Sequence, residues 1–174
     1  MERQARQITV RSATVDDIEA MAAVHAAGWR KGFAGIVPPE LTPTSDLLAK
    51  LLRERFADPG PTRIVAELGG EVSGFCNYGP TRDAGSDPGV GEIYVLFVDP
   101  AAWRQGVGRT LVRRALADLE RHGFREATLW SAAGNARANR FYEALGFAPD
   151  GAEQTREQFG NVREVRFRRA LGDG

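Results

Sequence analysis

Residues 98–109 of the sequence read VDPAAWRQGVGR and join a predicted strand to a predicted helix. The mostly apolar segment from Glu92 to Val98 predicts the strand, and Asp99-Pro100 ends it. The segment from Gly106 to His122 predicts the helix, because its apolar residues recur every three to four positions. The first N–H groups of such a helix have no partner within it and lie beside the turn. The stretch therefore predicts a mixed α/β fold with an anion-binding turn.

The turn is predicted to bind a phosphate group, but it lacks the two best-known nucleotide-binding motifs. A helix dipole favours anions at this end, and Gly106 and Gly108 allow the backbone to approach closely. A Walker loop would need Lys and then Ser or Thr after the glycines, where the chain has Arg109 and Thr110. A dinucleotide motif would need a third glycine in place of Leu111. The alternative is that two glycines merely make a tight helix start.

The rest of the chain predicts one domain over residues 1–174. Its pattern indicates a strand, two helices, three strands, a helix, a strand, a helix and a final hairpin over 153–170 that turns at Gly160-Asn161. The expected fold class is α/β (α+β), with a mixed central sheet of about six to seven strands and about four flanking helices. We expect residues 1–6 and 172–174 to be flexible.

Composition narrows the class of protein. Lys plus Arg and Asp plus Glu number 23 each, so net charge is zero and we expect no nucleic-acid or membrane partner. Cys76 is the only cysteine, which excludes an intrachain disulfide and leaves little for a metal site. No apolar run is long enough to span a bilayer, and the polar start lacks the pattern of a signal peptide. By elimination we predict a cytoplasmic protein.

Residues 135–147, NARANRFYEALGF, are the second informative stretch. On a helix, Asn135, Asn139 and Tyr142 are spaced by four and three residues and share one face. The alternative interpretation makes Asn135 a helix cap and Tyr142 an aromatic residue at the edge of the core.

The two stretches together resemble the GNAT N-acetyltransferase superfamily. The motifs between residues 92 and 147 carry the resemblance, and the order of elements matches over nearly the whole chain. The resemblance implies acetyl-CoA as co-substrate and transfer of its acetyl group to a primary amine by direct attack. Two alternatives stay open: a non-catalytic acyl-CoA sensor, or an acyltransferase with another acyl donor or a hydroxyl acceptor.

The resemblance also implies roles for individual residues. Backbone groups of Phe97 and Val98 would bind the pantetheine arm, and Asn135 and Asn139 would bond it from the next helix. The pyrophosphate would be held by the backbone of six residues: Arg104, Gln105, Gly106, Val107, Gly108 and Arg109. The chain departs from the family at Trp103, where Gln or Arg is common.

The chemistry needs a proton acceptor and a proton donor. An alkyl amine, with a pKa near about 10.4, is mostly protonated at neutral pH, and a leaving thiolate is helped by a proton. Tyr142, which the resemblance places near the sulfur, is the predicted acid. Glu92 is the predicted base, acting through water, although a carboxylate at the start of a strand is often simply solvated. Neither step needs a metal.

The acceptor site is less defined by sequence. Similar enzymes place its walls between the first two helices, so Trp29 and Phe33 are candidates, and Tyr94 shares the strand face of Glu92. Trp29 and Phe33 have a plain packing alternative, and His25 is expected to be a packed helix residue. The acceptor is predicted to be a small-molecule or peptide amine. Similar proteins are commonly dimers, so a homodimer stays open.

Overall fold

The structure, a computed structural model, describes residues 7–172 and contains a seven-stranded sheet with helices on both faces. The predictions for residues 1–6, 173 and 174 lie outside the described residues. In chain order the elements are β1 (Ile8–Ser12), α1 (Ile18–Gly32), α2 (Ser45–Arg55), β2 (Thr62–Leu68), β3 (Glu71–Pro80), β4 (Val90–Val98), α3 (Val107–Arg121), β5 (Glu126–Ala132), α4 (Ala136–Ala144), β6 (Ala148–Arg156) and β7 (Val162–Ala170).

The strands lie in the order β1-β2-β3-β4-β5-β7-β6. Strands β4 and β5 are parallel, and the other neighbouring pairs are antiparallel. The predicted order of elements and the mixed sheet are therefore confirmed. No helix within residues 7–172 has both the length and the apolar character needed to cross a membrane.

Helix α3 is fixed to the sheet by its apolar face. Leu111, Val112 and Ala115 are completely buried, and burial of a side chain the size of leucine contributes roughly 1.5–3 kcal/mol. Val107 packs on Gly74 of β3, where a Cβ would come within 2.9 Å of the Val107 Cγ1. The small residue at Gly74 lets the first turn of α3 approach the sheet closely.

Helix α1 crosses the opposite face and follows a capping turn at Thr14. The Asp17 carboxylate accepts the Thr14 N–H at 2.7 Å and pairs with Arg11 at 2.8 Å. The Arg11 guanidinium holds the pKa of Asp17 below its usual value. Met21 and Val24 then pack against Phe75 in the core. The cap and this packing fix where the end of α1 carries Trp29.

The final hairpin differs from its prediction. Strand β6 begins at Ala148 rather than at residue 153, although it is almost wholly polar. Cross-strand ion pairs stabilise it, since Asp150 accepts from Arg166 and Arg168 and Glu164 from Arg156. Polar side chains on a sheet edge do not show the alternation by which strands are recognised in sequence.

Cys76 lies in the middle of β3 and is completely buried. Burial raises the pKa of its thiol well above the usual value. Cys76 therefore packs in the core.

Candidate active site

Strands β4 and β5 separate halfway along their length. They pair only from Val90 to Ile93, and beyond Ile93 the described part of β4 pairs with β3 alone. Tyr94 is an extra residue in the ladder with β3, because the register shifts by one there. The resulting gap between β4 and β5 ends beside α3, since Val98 Cγ2 would lie 3.5 Å from a Cβ at Gly108.

The backbone of β4 directs polar groups into this gap. The Asp99 N–H donates to the Ser73 carbonyl on β3 at 2.8 Å, and residues of an antiparallel pair alternate between facing the partner and facing away. Phe97 therefore directs its N–H and C=O to β3, whereas Leu96 and Val98 direct theirs to the gap. A backbone contact from β4 would thus come from Leu96 and Val98, and Phe97 contributes its ring.

The turn before α3 presents six free amides. Among residues 7–172, no acceptor is found for the backbone N–H groups of residues 104–109. Gly106 has φ +91°, a conformation that favours glycine, and Arg104 adopts φ +64°. Gly108 packs closely, since a Cβ there would lie 3.3 Å from Phe141 Cζ. Arg104, Gln105 and Arg109 are exposed beside this run of amides, as a phosphate site requires.

Trp103 and Arg137 add a feature that sequence reasoning missed. The Trp103 indole N–H donates to the Val98 carbonyl at 2.9 Å, and the Arg137 guanidinium lies 3.2 Å from the centre of the Trp103 ring. Burial, and then the positive charge of Arg104, lower the pKa of Arg137. Neither arginine forms an ion pair with another described residue. The sequence carries no signal for this contact, because Arg137 and Trp103 belong to different elements.

Asn135, the cap of α4, and Asn139, within α4, form different hydrogen bonds. The Asn135 Oδ1 caps the helix by accepting the Ala138 N–H at 3.2 Å. The Asn139 side chain accepts from the Ser131 hydroxyl at 2.7 Å and donates to the Ala132 carbonyl at 3.3 Å, so it ties α4 to the end of β5. The Asn135 Nδ2 has no acceptor within the described residues. Contact of either residue with a ligand stays a prediction.

Tyr142 lies one turn after Asn139. Its ring packs edge-on against Phe141 and Phe147, with centroids 5.3 and 6.2 Å away, and is tilted against Phe167. Burial, and then proximity to Cys76, raise the pKa of the phenol well above its usual value. The hydroxyl forms no hydrogen bond with another described residue. Tyr142 is therefore a protonated, uncommitted donor at neutral pH.

Glu92 is buried rather than solvated. It is 2% exposed, and its carboxylate accepts from the Arg82 guanidinium and the Arg82 N–H, both at 2.8 Å. The Arg82 guanidinium also lies 4.0 Å from the centre of the Tyr94 ring. The Tyr94 hydroxyl donates to the Pro80 carbonyl, and burial, then the Glu92 charge, raise the pKa of this phenol. The expectation of a solvated carboxylate is wrong, and the base role stays a prediction.

Five rings lie where α1 ends, and we call them the aromatic cluster: His25, Trp29, Phe33, Phe97 and Phe159. Trp29 stacks on Phe33 with centroids 4.5 Å apart, and His25 stacks on Phe97 at 4.1 Å. The cluster packs with Ala132, the last residue of β5, so it bridges the ends of β4 and β5. It brings together the predicted acceptor residues Trp29 and Phe33, whereas Tyr94 lies with Glu92 and Arg82.

Comparison with known proteins gives the family. The model of the acetyltransferase (GNAT) family matches residues 29–147. The chain belongs to the GNAT family. YuaI of Bacillus subtilis strain 168, an uncharacterised N-acetyltransferase, is 30% identical over 164 residues, which cover 90% of this chain and 88% of YuaI. The sequence predictions of the family and of an N-acetyltransferase enzyme are confirmed.

Solved GNAT structures share this fold. The PaiA N-acetyltransferase of Thermoplasma acidophilum in complex with coenzyme A superposes with a TM-score of 0.75 at 17% identity, covering 95% of this chain and 99% of PaiA. YncA of Salmonella typhimurium, solved with acetyl-CoA, gives a TM-score of 0.68 at 20% identity, covering 96% of this chain and 95% of YncA. At these identities the likeness concerns the fold, and the two ligands agree with acetyl-CoA as the predicted co-substrate.

Proposed function

We propose that this GNAT protein transfers the acetyl group of acetyl-CoA to a primary amine, which attacks directly while both substrates are bound. The observation that carries the proposal is the run of six free backbone N–H groups at residues 104–109, at the end of the gap between β4 and β5. We expect it to act in the cytoplasm on a small-molecule or peptide amine.

The residues around the gap fit coenzyme A in charge and in hydrogen bonding. The six amides and the unpaired Arg104 and Arg137 would hold the phosphates. The free N–H groups of Leu96 and Val98 would bond the pantetheine arm, with Asn135 Nδ2 approaching from α4. Bound acetyl-CoA supplies the activated acetyl group as a thioester. N–H groups fixed in this way stabilise negative charge that develops on a carbonyl oxygen.

Two side chains would carry out the proton transfers. Glu92 lies at the last paired positions before the gap and would accept the proton of the amine through water. Two hydrogen bonds from Arg82 orient the Glu92 carboxylate. Tyr142, on α4, would donate its phenolic proton to the departing sulfur. Holding both substrates in one gap contributes the larger part of the acceleration.

The test is acetyl transfer by the full chain. Acetyl-CoA is mixed with a panel of amines, thiol release is recorded, and the acetylated amine is identified by mass spectrometry. We expect thiol release that depends on the amine. Release without any amine would indicate a hydrolase, and tight coenzyme A binding without release would indicate an acyl-CoA sensor.

A matched pair of glycine variants tests whether the free N–H groups of residues 104–109 bind coenzyme A. Gly106→Asp places a negative charge where the phosphates would lie, whereas Gly123→Asp makes the same change at the other end of α3. Both glycines have positive φ, +91° and +87°, so the backbone strain is similar. We expect Gly106→Asp to weaken coenzyme A binding at least tenfold and Gly123→Asp to leave it unchanged. Equal binding by both folded variants would exclude this site.

A further inference from the structure

The Trp29 indole N–H is buried without a hydrogen-bond acceptor. Trp29 is 8% exposed, and its Nε1 is inaccessible and unpaired within the described residues. A buried donor without a partner costs about 1–3 kcal/mol, so such a group calls for a partner outside the chain, either an ordered water or a ligand. The other two tryptophans are satisfied, since Trp103 donates to Val98 and Trp130 to Asp83. The unpaired donor is the one that lies in the aromatic cluster.

The surroundings of this donor are apolar. Phe33, Phe97 and Phe159 surround the Trp29 ring, and none of these side chains carries a charge. His25 is also neutral at pH 7, because burial lowers its pKa to about 4. The cluster therefore offers a ligand apolar contact and one hydrogen-bond donor.

The loop after α1 and the turn between β6 and β7 cover the cluster from two sides. Ile36 and Val37 pack with Val162 in the same group of side chains. The two segments touch each other, since a Cβ at Gly160 would lie 2.8 Å from Pro38 Cδ. The Trp29 N–H is thus shielded from water, which strengthens a hydrogen bond that it donates.

Three carboxylates near the gap are paired with arginine side chains. Glu92 pairs with Arg82, and Asp83 pairs with Arg166. Glu164, which lies opposite Ala132 in the sheet, pairs with Arg156. Exposed carboxylates on the covering segments, Glu40 and Glu157, lie in solvent, where their attraction for a cation is screened. This arrangement disfavours a polycationic acceptor.

We infer that the acceptor is an amine with an aromatic or bulky apolar group and a carbonyl oxygen beside the amine, and that the Trp29 N–H binds this oxygen. This is the chemistry of an apolar α-amino amide, present both in a free amino-acid amide and at a peptide N-terminus. The inference rests on the proposed function and names the substrate class of that site.

The test compares two acceptors that differ by one carboxamide group. Phenylalaninamide has the carbonyl, and 2-phenylethylamine lacks it. The quantity measured is the kcat/KM for phenylalaninamide divided by the kcat/KM for 2-phenylethylamine. The two amines differ in ionisation, but this difference cancels when the ratio is compared between wild type and Trp29→Phe at one pH. Trp29→Phe keeps an aromatic ring and removes the N–H. We expect Trp29→Phe to lower the ratio by about 10- to 100-fold, mainly because the kcat/KM for phenylalaninamide falls.

Trp130→Phe is the matched control, because it removes an indole N–H that is paired outside the cluster. We expect the ratio to stay at the wild-type value. An unchanged ratio in folded Trp29→Phe would overturn the inference. Comparing phenylalaninamide with a peptide that begins with phenylalanine distinguishes the two sources of the same chemistry.

A second measurement uses wild-type protein, in case Trp29→Phe does not fold. The chain has three tryptophans, so ¹⁵N-labelled protein gives three indole N–H resonances, assigned from Trp103→Phe and Trp130→Phe if necessary. With coenzyme A present, phenylalaninamide should shift the Trp29 resonance downfield and 2-phenylethylamine should not. Equal shifts with both amines would contradict the inference.

Failure of the inference and failure of the proposed function give different results. Efficient acetylation of spermidine with none of phenylalaninamide would overturn the inference and leave the acetyltransferase intact. Coenzyme A binding without acetylation of any amine would overturn the proposed function itself.

Discussion

Trp103 and Val98 are joined by a hydrogen bond of 2.9 Å from the indole N–H to the backbone carbonyl. The bond ties the turn before α3 to the last residue of β4. Since the turn holds the free amides and β4 borders the gap, the Trp103 side chain sets the distance between the two halves of the proposed acetyl-CoA site. The same ring carries the Arg137 guanidinium.

Trp103→Phe should therefore weaken acetyl-CoA binding without affecting the chemical step. Loss of one hydrogen bond should lower the free energy of unfolding by about 1 kcal/mol and raise the KM for acetyl-CoA severalfold, with kcat retained. Steady-state thiol release and urea unfolding measure both effects. Trp130→Phe loses a comparable bond to Asp83, so a similar rise in its KM would show that the effect is not specific to the turn.

Tyr142→Phe should retain coenzyme A affinity and lose turnover. The phenol is protonated and forms no other hydrogen bond with the described residues, so its proton is available to the leaving sulfur. General acid catalysis contributes about 10²–10⁴-fold, and we expect kcat to fall at least 100-fold. Calorimetric titration with coenzyme A and steady-state kinetics separate binding from turnover. A kcat within twofold of wild type would remove Tyr142 from the mechanism.

Glu92→Gln tests the base. If the Glu92 carboxylate accepts the proton of the amine, the variant should lose about 100-fold or more in kcat, and the acidic limb of the pH–rate profile should change. Arg82 is 59% exposed, so the charge left by the substitution stays in water and the fold should persist. Circular dichroism checks folding. An unmoved pH–rate profile would assign the base elsewhere.

His25 should make stability depend on pH. Burial lowers its pKa to about 4, so between pH 6.5 and 4 the unfolded chain binds a proton that the folded chain does not. The free energy of unfolding should be highest above pH 6.5 and fall as the pH is lowered toward 4, by at most about 3 kcal/mol. Urea unfolding between pH 4.5 and 7.5 measures the slope.

His25→Gln cannot titrate and should flatten this slope. His122→Gln is the matched control, because it removes the only other histidine, which lies at the end of α3. A slope that persists in His25→Gln and disappears in His122→Gln would reverse the assignment.

The glycines made the turn before α3 predictable, because the positive φ of Gly106 is a local requirement that a sequence displays. The burial of Glu92 was not predictable in the same way. It depends on Arg82, ten residues away across a loop, and on the extra residue at Tyr94. The stacking of Arg137 on Trp103 likewise joins two elements, and no spacing rule within one element reports it. The helix and strand order follows from local pattern, whereas the partners of site residues follow from tertiary packing.

Because the thiol of Cys76 is buried, one thiol reagent can follow both catalysis and unfolding. A thiol reagent added to folded enzyme should count only the coenzyme A that turnover liberates, because the protein's one sulfhydryl is shut inside the sheet. As denaturant opens the fold, that sulfhydryl should begin to react. The colour reaction that measures catalysis in buffer therefore measures unfolding in urea.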